Sequence, residues 1–169
     1  ELPRQLPAAV PHFTGRVTEL AVLNAVLDAA RLGRAAAVAV AAIDGPPGVG
    51  KTALAVRWAH QAAAEFPDGQ LYVNLRGFGS PDEIAPAGTA IRGFLGTLGI
   101  PAGRIPPDPE SQAGLYRSLL AGKRVLIVDF SYPRTVLLAM KGDAESLIVL
   151  DHHATAKDAL AGLEFCTFD

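Results

Sequence analysis

The sequence contains a single cysteine, Cys166, which excludes an internal disulfide and fits a reducing compartment such as the cytoplasm. It also lacks a long apolar run, since the longest, Ala35–Ile43, is far shorter than the roughly 20 residues of a membrane-spanning helix. Neither sign of charge is in large excess: the formal net charge of −2 gives no general attraction to nucleic acid or to an anionic membrane. We therefore expect a cytoplasmic location, no membrane partner and no direct binding of nucleic acid by these residues.

The N-terminal residues show no basic-then-apolar signal pattern, and three prolines within 1–12 predict an extended arm or a linker. In the whole chain 50% of residues are hydrophobic and 19% are charged. That balance is typical of a folded domain with a sizeable core, and no internal repeat divides the sequence. We therefore expect residues 13–169 to form a single domain.

Short apolar runs alternate along the chain with segments of helical periodicity. This alternation predicts a three-layer α/β fold, in which helices cover both faces of a parallel sheet. In such sheets ligands bind beyond the carboxyl ends of the strands. The predicted strands lie within residues 35–44, 69–75, 124–129, 146–151 and 164–168, and the predicted helices begin near residues 16, 51, 88, 110, 134 and 155.

Two of these helices allow finer predictions. Thr14 is placed to cap the first, because a threonine side chain can accept hydrogen bonds from the first turn. In the second, apolar residues recur every four positions, so they should face the core. These residues are Leu54, Trp58, Ala62 and Phe66.

The segment "GPPGVGKT", residues 45–52, matches the pattern G-x-x-x-x-G-K-[ST] in full. Gly48 and Gly50 allow the backbone to turn sharply, so that its N–H groups point at phosphate oxygens. Lys51 can reach the β- and γ-phosphates, and the Thr52 hydroxyl can ligate Mg²⁺. A predicted strand precedes the segment and a predicted helix follows it, as in the P-loop of NTPases. The alternative is a tight strand-to-helix turn without a ligand. The candidate loop residues for cofactor binding are Gly45, Gly48, Val49, Gly50, Lys51 and Thr52.

P-loop NTPases also need an acid at the end of a buried strand to hold the metal ion. The run "RVLIVD" supplies Asp129 in that position. Lys51 and Asp129 are therefore the candidate catalytic residues. Aspartate also often bounds strands for structural reasons alone, and that interpretation stays open.

Four longer segments surround these motifs and carry a specific pattern. They are "FTGRVTEL", "IDGPPGVGKTALAVRWAH", "GQLYVNLRGF" and "LGIPAGRIPPDPESQAGLYRSLLAGKRVLIV". Together they resemble the nucleotide-binding module of STAND ATPases of the NB-ARC kind, and in particular that of actinobacterial transcriptional regulators with an upstream DNA-binding part. The resemblance covers residues 2 to 128 approximately.

This resemblance implies a slow switch that binds ATP or ADP together with Mg²⁺. It implies that Phe13, Gly15 and Arg16 lie near the adenine, and that Lys51, Thr52 and Asp129 serve the phosphates and the metal. The sequence departs from the family after Asp129, where Phe130 and Ser131 replace the usual residues and no Thr-Ser-Arg type sensor follows. We therefore expect slow or no hydrolysis.

The last part of the sequence carries two other motifs, "VDFSYPR" and "VLDHH", separated by one strand–helix–strand step. Residues 125–169 resemble an internal piece of DHH-family phosphoesterases. The resemblance implies that Asp129 and Asp151 bind a metal ion such as Mn²⁺, and that His152 or His153 assists. That family also uses an earlier motif with Asp and His on its first strands, which this sequence lacks, so we expect an incomplete site.

Asp129 is thus a position that both resemblances share, which predicts a chimera. Its first part would be residues 13–128, and its second, 129–169, would extend the sheet by right-handed crossovers. Three hypotheses follow: a Mg²⁺-dependent ATP- or ADP-binding domain, which we prefer; a Mn²⁺-dependent phosphoesterase; and a structural chimera with no activity. The sequence leaves the oligomeric state open.

Overall fold

The structure is a computed structural model, and it describes residues 2–32, 38–44, 46, 48–74, 87–129, 146–152 and 164–167. The helices are α1 (Val17–Arg31), α2 (Lys51–Ala62), α3 (Ala87–Thr97) and α4 (Pro109–Leu120), and short 3₁₀ turns cover Ala63–Glu65 and Ala102–Arg104. The strands are β1 (Val38–Asp44), β2 (Gln70–Val73), β3 (Leu126–Asp129), β4 (Ser146–His152) and β5 (Glu164–Thr167). The helices predicted to begin near residues 134 and 155 lie outside the described residues.

The five strands form one sheet in the order β2-β3-β4-β1-β5, and every pair of neighbours is parallel. Parallel neighbours must be joined by crossover connections, which are usually helices. The helix α2 packs against three of the strands, β1, β3 and β4. The predicted α/β class with a parallel sheet is confirmed. The carboxyl ends of β1, β3 and β4 consequently lie side by side at the same end of the sheet.

The tail, residues 129–169, does more than extend the sheet. Only β5 is added at an edge, beside β1. In contrast, β4 lies between β3 and β1 and is hydrogen-bonded on both sides, with Val38 opposite Ser146 and Leu126 opposite Leu147. The tail therefore supplies the middle strand of the sheet, and among the described strands β4 links the pair β2–β3 to the pair β1–β5.

The predicted core face of α2 is confirmed. Leu54 and Trp58 are fully buried, and Ala62 and Phe66 are almost so. They belong to a cluster that also includes residues of α1, β1 and β3. The Trp58 indole Nε1 donates a hydrogen bond of 2.8 Å to the Asn24 Oδ1 of α1. This packing fixes the helix that follows the candidate phosphate loop.

The prediction that Thr14 caps α1 is wrong. The helix begins at Val17, its N-cap residue is Arg16, and no side chain makes a capping hydrogen bond. Gly15 and Arg16 both adopt left-handed backbone conformations, with φ of 75° and 58°. The chain enters the helix through this left-handed pair, so the N-cap position falls on Arg16, two residues after Thr14.

The cap of α4 is a stabilising feature that the sequence analysis did not single out. Asp108 accepts a hydrogen bond of 2.8 Å from the backbone N–H of Ser111. This bond lowers the pKa of the Asp108 carboxyl below its ordinary value of 3.8. A lowered pKa means that the carboxylate stabilises the fold above the pKa of the unfolded chain, and that this contribution is lost as the pH falls through the folded value.

We therefore expect Asp108→Ala to lower the melting temperature at neutral pH, and we expect the gap from the parent to close below about pH 4. Thermal melts of both proteins at several pH values test this. Asp108→Asn is the matched control, because its amide oxygen can still accept the bond without titrating. A gap that is equally large at low and neutral pH would contradict the assignment.

Within the residues that the structure describes, no helix combines the length and the apolar character needed to cross a membrane.

Candidate functional site

The segment between β1 and α2 forms a loop whose turns depend on two glycines. Gly48 and Gly50 have φ values of 80° and 97°, a conformation that residues with a side chain rarely adopt. Gly50 is also the N-cap residue of α2, so the helix starts directly at Lys51. These are the two glycines that the sequence analysis assigned to the turn, while Gly45 lies outside the described residues.

The carbonyl oxygen of Pro46 is a common acceptor inside this loop. It receives a hydrogen bond of 3.4 Å from the Val49 N–H and one of 3.2 Å from the Lys51 Nζ. Lys51 is only 5% exposed, whereas the neighbouring Thr52 is exposed. The ammonium group is thus held within the loop.

The first turn of α2 is electrostatically suited to an anion. It contains no acidic residue, its N-cap makes no side-chain hydrogen bond, and its first residue is the cation Lys51. A helix N-terminus carries partial positive charge, which a lysine at that end reinforces. A bound phosphate would complement both charges and accept hydrogen bonds from the backbone N–H groups of the first turn.

A cavity of about 510 Å³ opens beside the loop. Gly48, Gly50, Lys51 and Thr52 form one side of it. Tyr72 of β2 and three residues of the N-terminal arm, Pro7, Ala8 and Val10, also line it. No sequence motif marks these residues, because the prolines of the arm indicate an extended backbone but not where it lies.

The residues predicted to lie near the adenine, Phe13, Gly15 and Arg16, directly precede α1. Arg16 Nη2 donates to the Val49 carbonyl of the loop at 3.2 Å, and its Nη1 forms an ion pair of 2.9 Å with Glu19. The pKa of the Glu19 carboxyl is lowered. The larger cause is a hydrogen bond from the backbone N–H of Glu19 itself, and the next is the hydrogen bond from Arg16. Phe13 is half-buried against the core. Arg16 therefore ties the start of α1 to the loop.

The candidate metal ligands at the strand ends do not share one row of the sheet. Asp129 at the end of β3 lies opposite Leu150, so it is one row away from Asp151. Asp151 lies opposite Ile43. His152 lies opposite Asp44 at the end of β1, and His153 lies outside the described residues.

A metal centre made of protein ligands alone is not seen in the described ranges. In those ranges no three or more His, Cys, Asp or Glu residues are grouped so that they could hold a metal ion. The predicted Mg²⁺ ligands Thr52 and Asp129 are a different case, because Mg²⁺ commonly binds one or two protein groups together with phosphate oxygens and water.

The loop, the parallel sheet and the strand order define the fold of P-loop ATPases. Cdc6p from Pyrobaculum aerophilum aligns with a TM-score of 0.66 and 17% identity, over 96% of this chain and 46% of its own. The Aeropyrum pernix ORC1 protein, solved in complex with DNA, aligns with a TM-score of 0.62 and 17% identity, over 97% and 47%. The Aeropyrum pernix ORC2 protein, solved as ADPNP–ADP complexes, gives 0.60 and 17%, over 94% and 48%.

In sequence the chain is similar to two regulatory proteins. It is 49% identical over 129 residues to the regulatory protein AfsR of Streptomyces coelicolor, which is 75% of this chain and 13% of that protein. It is 47% identical over 126 residues to AfsR of Streptomyces griseus, which is 75% of this chain and 12% of that protein. No protein-family model matches the chain. The chain thus spans about an eighth of the length of these relatives and about half of the solved structures.

These comparisons bear differently on the two resemblances. The similarity to regulatory proteins of two Streptomyces species supports the first one. The second one, to DHH-family phosphoesterases, gains no support from the proteins named above. The structural alignments each cover at least 94% of the chain, so they extend beyond residue 128 into the tail.

Proposed function

We propose that this chain is a nucleotide-binding domain of the STAND/NB-ARC type, which binds ATP and ADP with Mg²⁺ and hydrolyses ATP slowly or not at all. The observation that carries the proposal is the loop before α2. Its two left-handed glycines lead into a helix that begins at the buried Lys51, and a cavity opens directly beside them. The ammonium group of Lys51 lies at the positive end of this helix, where a bound anion would complement both charges.

In this proposal the loop amides and the first turn of α2 hold the phosphates, and Lys51 neutralises the β- and γ-phosphates. Mg²⁺ would be held by Thr52 and Asp129, and it would screen the charge of the phosphates. Phe13, Gly15 and Arg16 would border the adenine. The contact of Arg16 with the Val49 carbonyl supports a role for that region in shaping the loop.

The proposal of slow turnover depends on the residues after β3. Phe130 follows Asp129, so the chain has no second carboxylate there to orient an attacking water. Phosphoryl transfer is catalysed mainly by groups positioned around the γ-phosphate, and no motif in this sequence supplies them. A domain that binds tightly and turns over slowly can act as a switch, which fits the similarity to regulatory proteins.

A thermal melt tests the binding. MgATP at about 100 times its dissociation constant is expected to add about 2.7 kcal/mol to the free energy of unfolding, which should raise the melting temperature by several degrees. Thr52→Ala should keep binding ATP but lose the additional stabilisation from Mg²⁺, because the hydroxyl ligand is gone. An unchanged melting temperature with MgATP and MgADP would refute the proposal.

A second candidate, a Mn²⁺-dependent phosphoesterase, is favoured by two features of the strand pairing. Strands β3 and β4 are neighbours, so Asp129 and Asp151 end at the same edge of the sheet. The residue opposite His152 is Asp44, another carboxylate at that edge. This candidate requires MnCl₂ to raise the melting temperature and to support cleavage of a small phosphodiester, and Asp151→Ala should abolish both.

The third candidate, a purely structural chimera, requires that neither MgATP nor MnCl₂ changes the melting temperature.

A further inference from the structure

The N-terminal arm, which we define as residues 3–10, is docked on the open edge of the sheet. Its backbone exchanges two hydrogen bonds with β2: the Gln70 N–H donates to the Pro3 carbonyl at 2.8 Å, and the Gln5 N–H donates to the Gln70 carbonyl at 3.0 Å. Arg4 and Gln70 thereby form a parallel bridge. The arm is therefore held by the same kind of bonds as a strand.

The side chain of Gln5 adds a further bond to β2 and one to α3. Its Oε1 accepts from the Tyr72 N–H at 3.3 Å, and its Nε2 donates to the Thr97 Oγ1 of α3 at 2.8 Å. Further along, the Pro7 carbonyl lies 2.7 Å from the His60 Nε2 of α2. These contacts guide the arm from the edge of β2 across to the helix that follows the phosphate loop.

At that helix the arm becomes a wall of the cavity. Pro7, Ala8 and Val10 line it together with Lys51 and Thr52. Val10 is 49% exposed, although it is apolar, so a ligand that filled the cavity would remove its side chain from water. Such burial contributes to binding only while the arm stays docked.

We propose that the arm is part of the nucleotide site and that nucleotide binding and docking of the arm on β2 strengthen each other. The inference rests on the proposed function, since the ligand is the same MgATP. A ligand that contacts the docked arm binds the docked state more tightly, and thermodynamic linkage then requires that it stabilise docking by the same free energy. The docking of the arm on β2 would thereby depend on whether nucleotide occupies the phosphate loop.

One glycine allows docking to be disturbed selectively. A Cβ atom on Gly69 would lie 2.5 Å from the Pro3 Cγ and 2.6 Å from the Pro3 carbonyl oxygen, so Gly69→Ala should push the arm away from β2. Gly69 has φ of +121°, so the substitution also strains the backbone. Gly99→Ala is the matched control, because Gly99 has φ of +92° and no atom within 4 Å of its Cβ position.

The experiment measures amide hydrogen exchange and MgATP affinity on the full chain. In the parent, MgATP should slow exchange at the N–H groups of Gln5, Gln70 and Tyr72. Gly69→Ala should speed that exchange and weaken MgATP binding about fivefold or more, while Gly99→Ala should leave the affinity near that of the parent. Gln5→Ala removes the two side-chain bonds without adding a clash. It should also speed amide exchange and weaken MgATP binding, so it replaces Gly69→Ala if that variant does not fold.

Two outcomes overturn the inference while leaving the proposed function intact, and a third overturns both. If the parent binds MgATP but exchange in the arm is unchanged, binding and docking are not linked. If Gly69→Ala or Gln5→Ala frees the arm and the affinity equals that of Gly99→Ala, the arm is no part of the site. If the parent does not bind MgATP, the proposed function itself fails, and this inference fails with it.

Discussion

Lys51→Ala is expected to weaken MgATP binding by about tenfold to 100-fold. Hydrogen bonds to charged groups contribute roughly 1.5–3 kcal/mol, and each 1.4 kcal/mol corresponds to a factor of ten in affinity. Lys51 is buried at the first position of α2, so in the proposed function its ammonium group and the helix N-terminus would act on the same phosphate. An equilibrium titration with labelled ATP, with and without Mg²⁺, measures the effect.

The control for this experiment is Arg57→Ala. Arg57 is an exposed cation on the same helix, so its removal changes the net charge equally but not the charge at the loop. Its affinity should stay close to that of the parent. Undiminished binding by Lys51→Ala, or an equal loss in both variants, would show that Lys51 does not contact the phosphates.

Trp58→Ala is expected to lower the free energy of unfolding by about 3–5 kcal/mol, the range found when a large aromatic residue is removed from a core. Trp58 is fully buried in the cluster that joins α1, α2, β1 and β3. Its removal leaves a cavity in that cluster and also breaks the bond of its indole to Asn24. Urea unfolding followed by circular dichroism measures the loss.

Two milder variants separate the packing of Trp58 from its hydrogen bond. Asn24→Ala removes the acceptor and leaves the buried indole N–H without a partner, which should cost about 1–3 kcal/mol. Trp58→Phe removes the donor but keeps most of the aromatic volume, so it should fall well short of the alanine variant. If Asn24→Ala were as destabilising as Trp58→Ala, the bond and not the packing would dominate.

The elements of the fold could be predicted from local signals. Apolar runs such as residues 124–129 and 146–151 predicted β3 and β4 within a residue or two. The four-residue spacing from Leu54 to Phe66 predicted the buried face of α2. The loop before that helix could also be placed, because its glycines and lysine act within a single turn of backbone and need no distant partner.

The arrangement of these elements could not be predicted in the same way. Nothing local in β4 indicates that it lies between β1 and β3 and not at an edge, because the choice depends on how distant strands pair. The same holds for the arm, whose docking depends on Gln5 meeting the β2 edge, and for Arg16, whose left-handed backbone displaced the predicted cap. The row that separates Asp129 from Asp151 likewise follows from pairing register alone.

The central position of β4 has a consequence for how the chain reaches this fold. Val38 cannot meet Ser146 until the ribosome has released nearly the whole segment between them, so β1 and β3 each keep an unpaired inner edge during synthesis. Closing so long a loop is entropically costly, and folding should be slow for a chain of this size. Open edges of this kind pair readily with other chains, so the nascent protein is expected to be prone to aggregation.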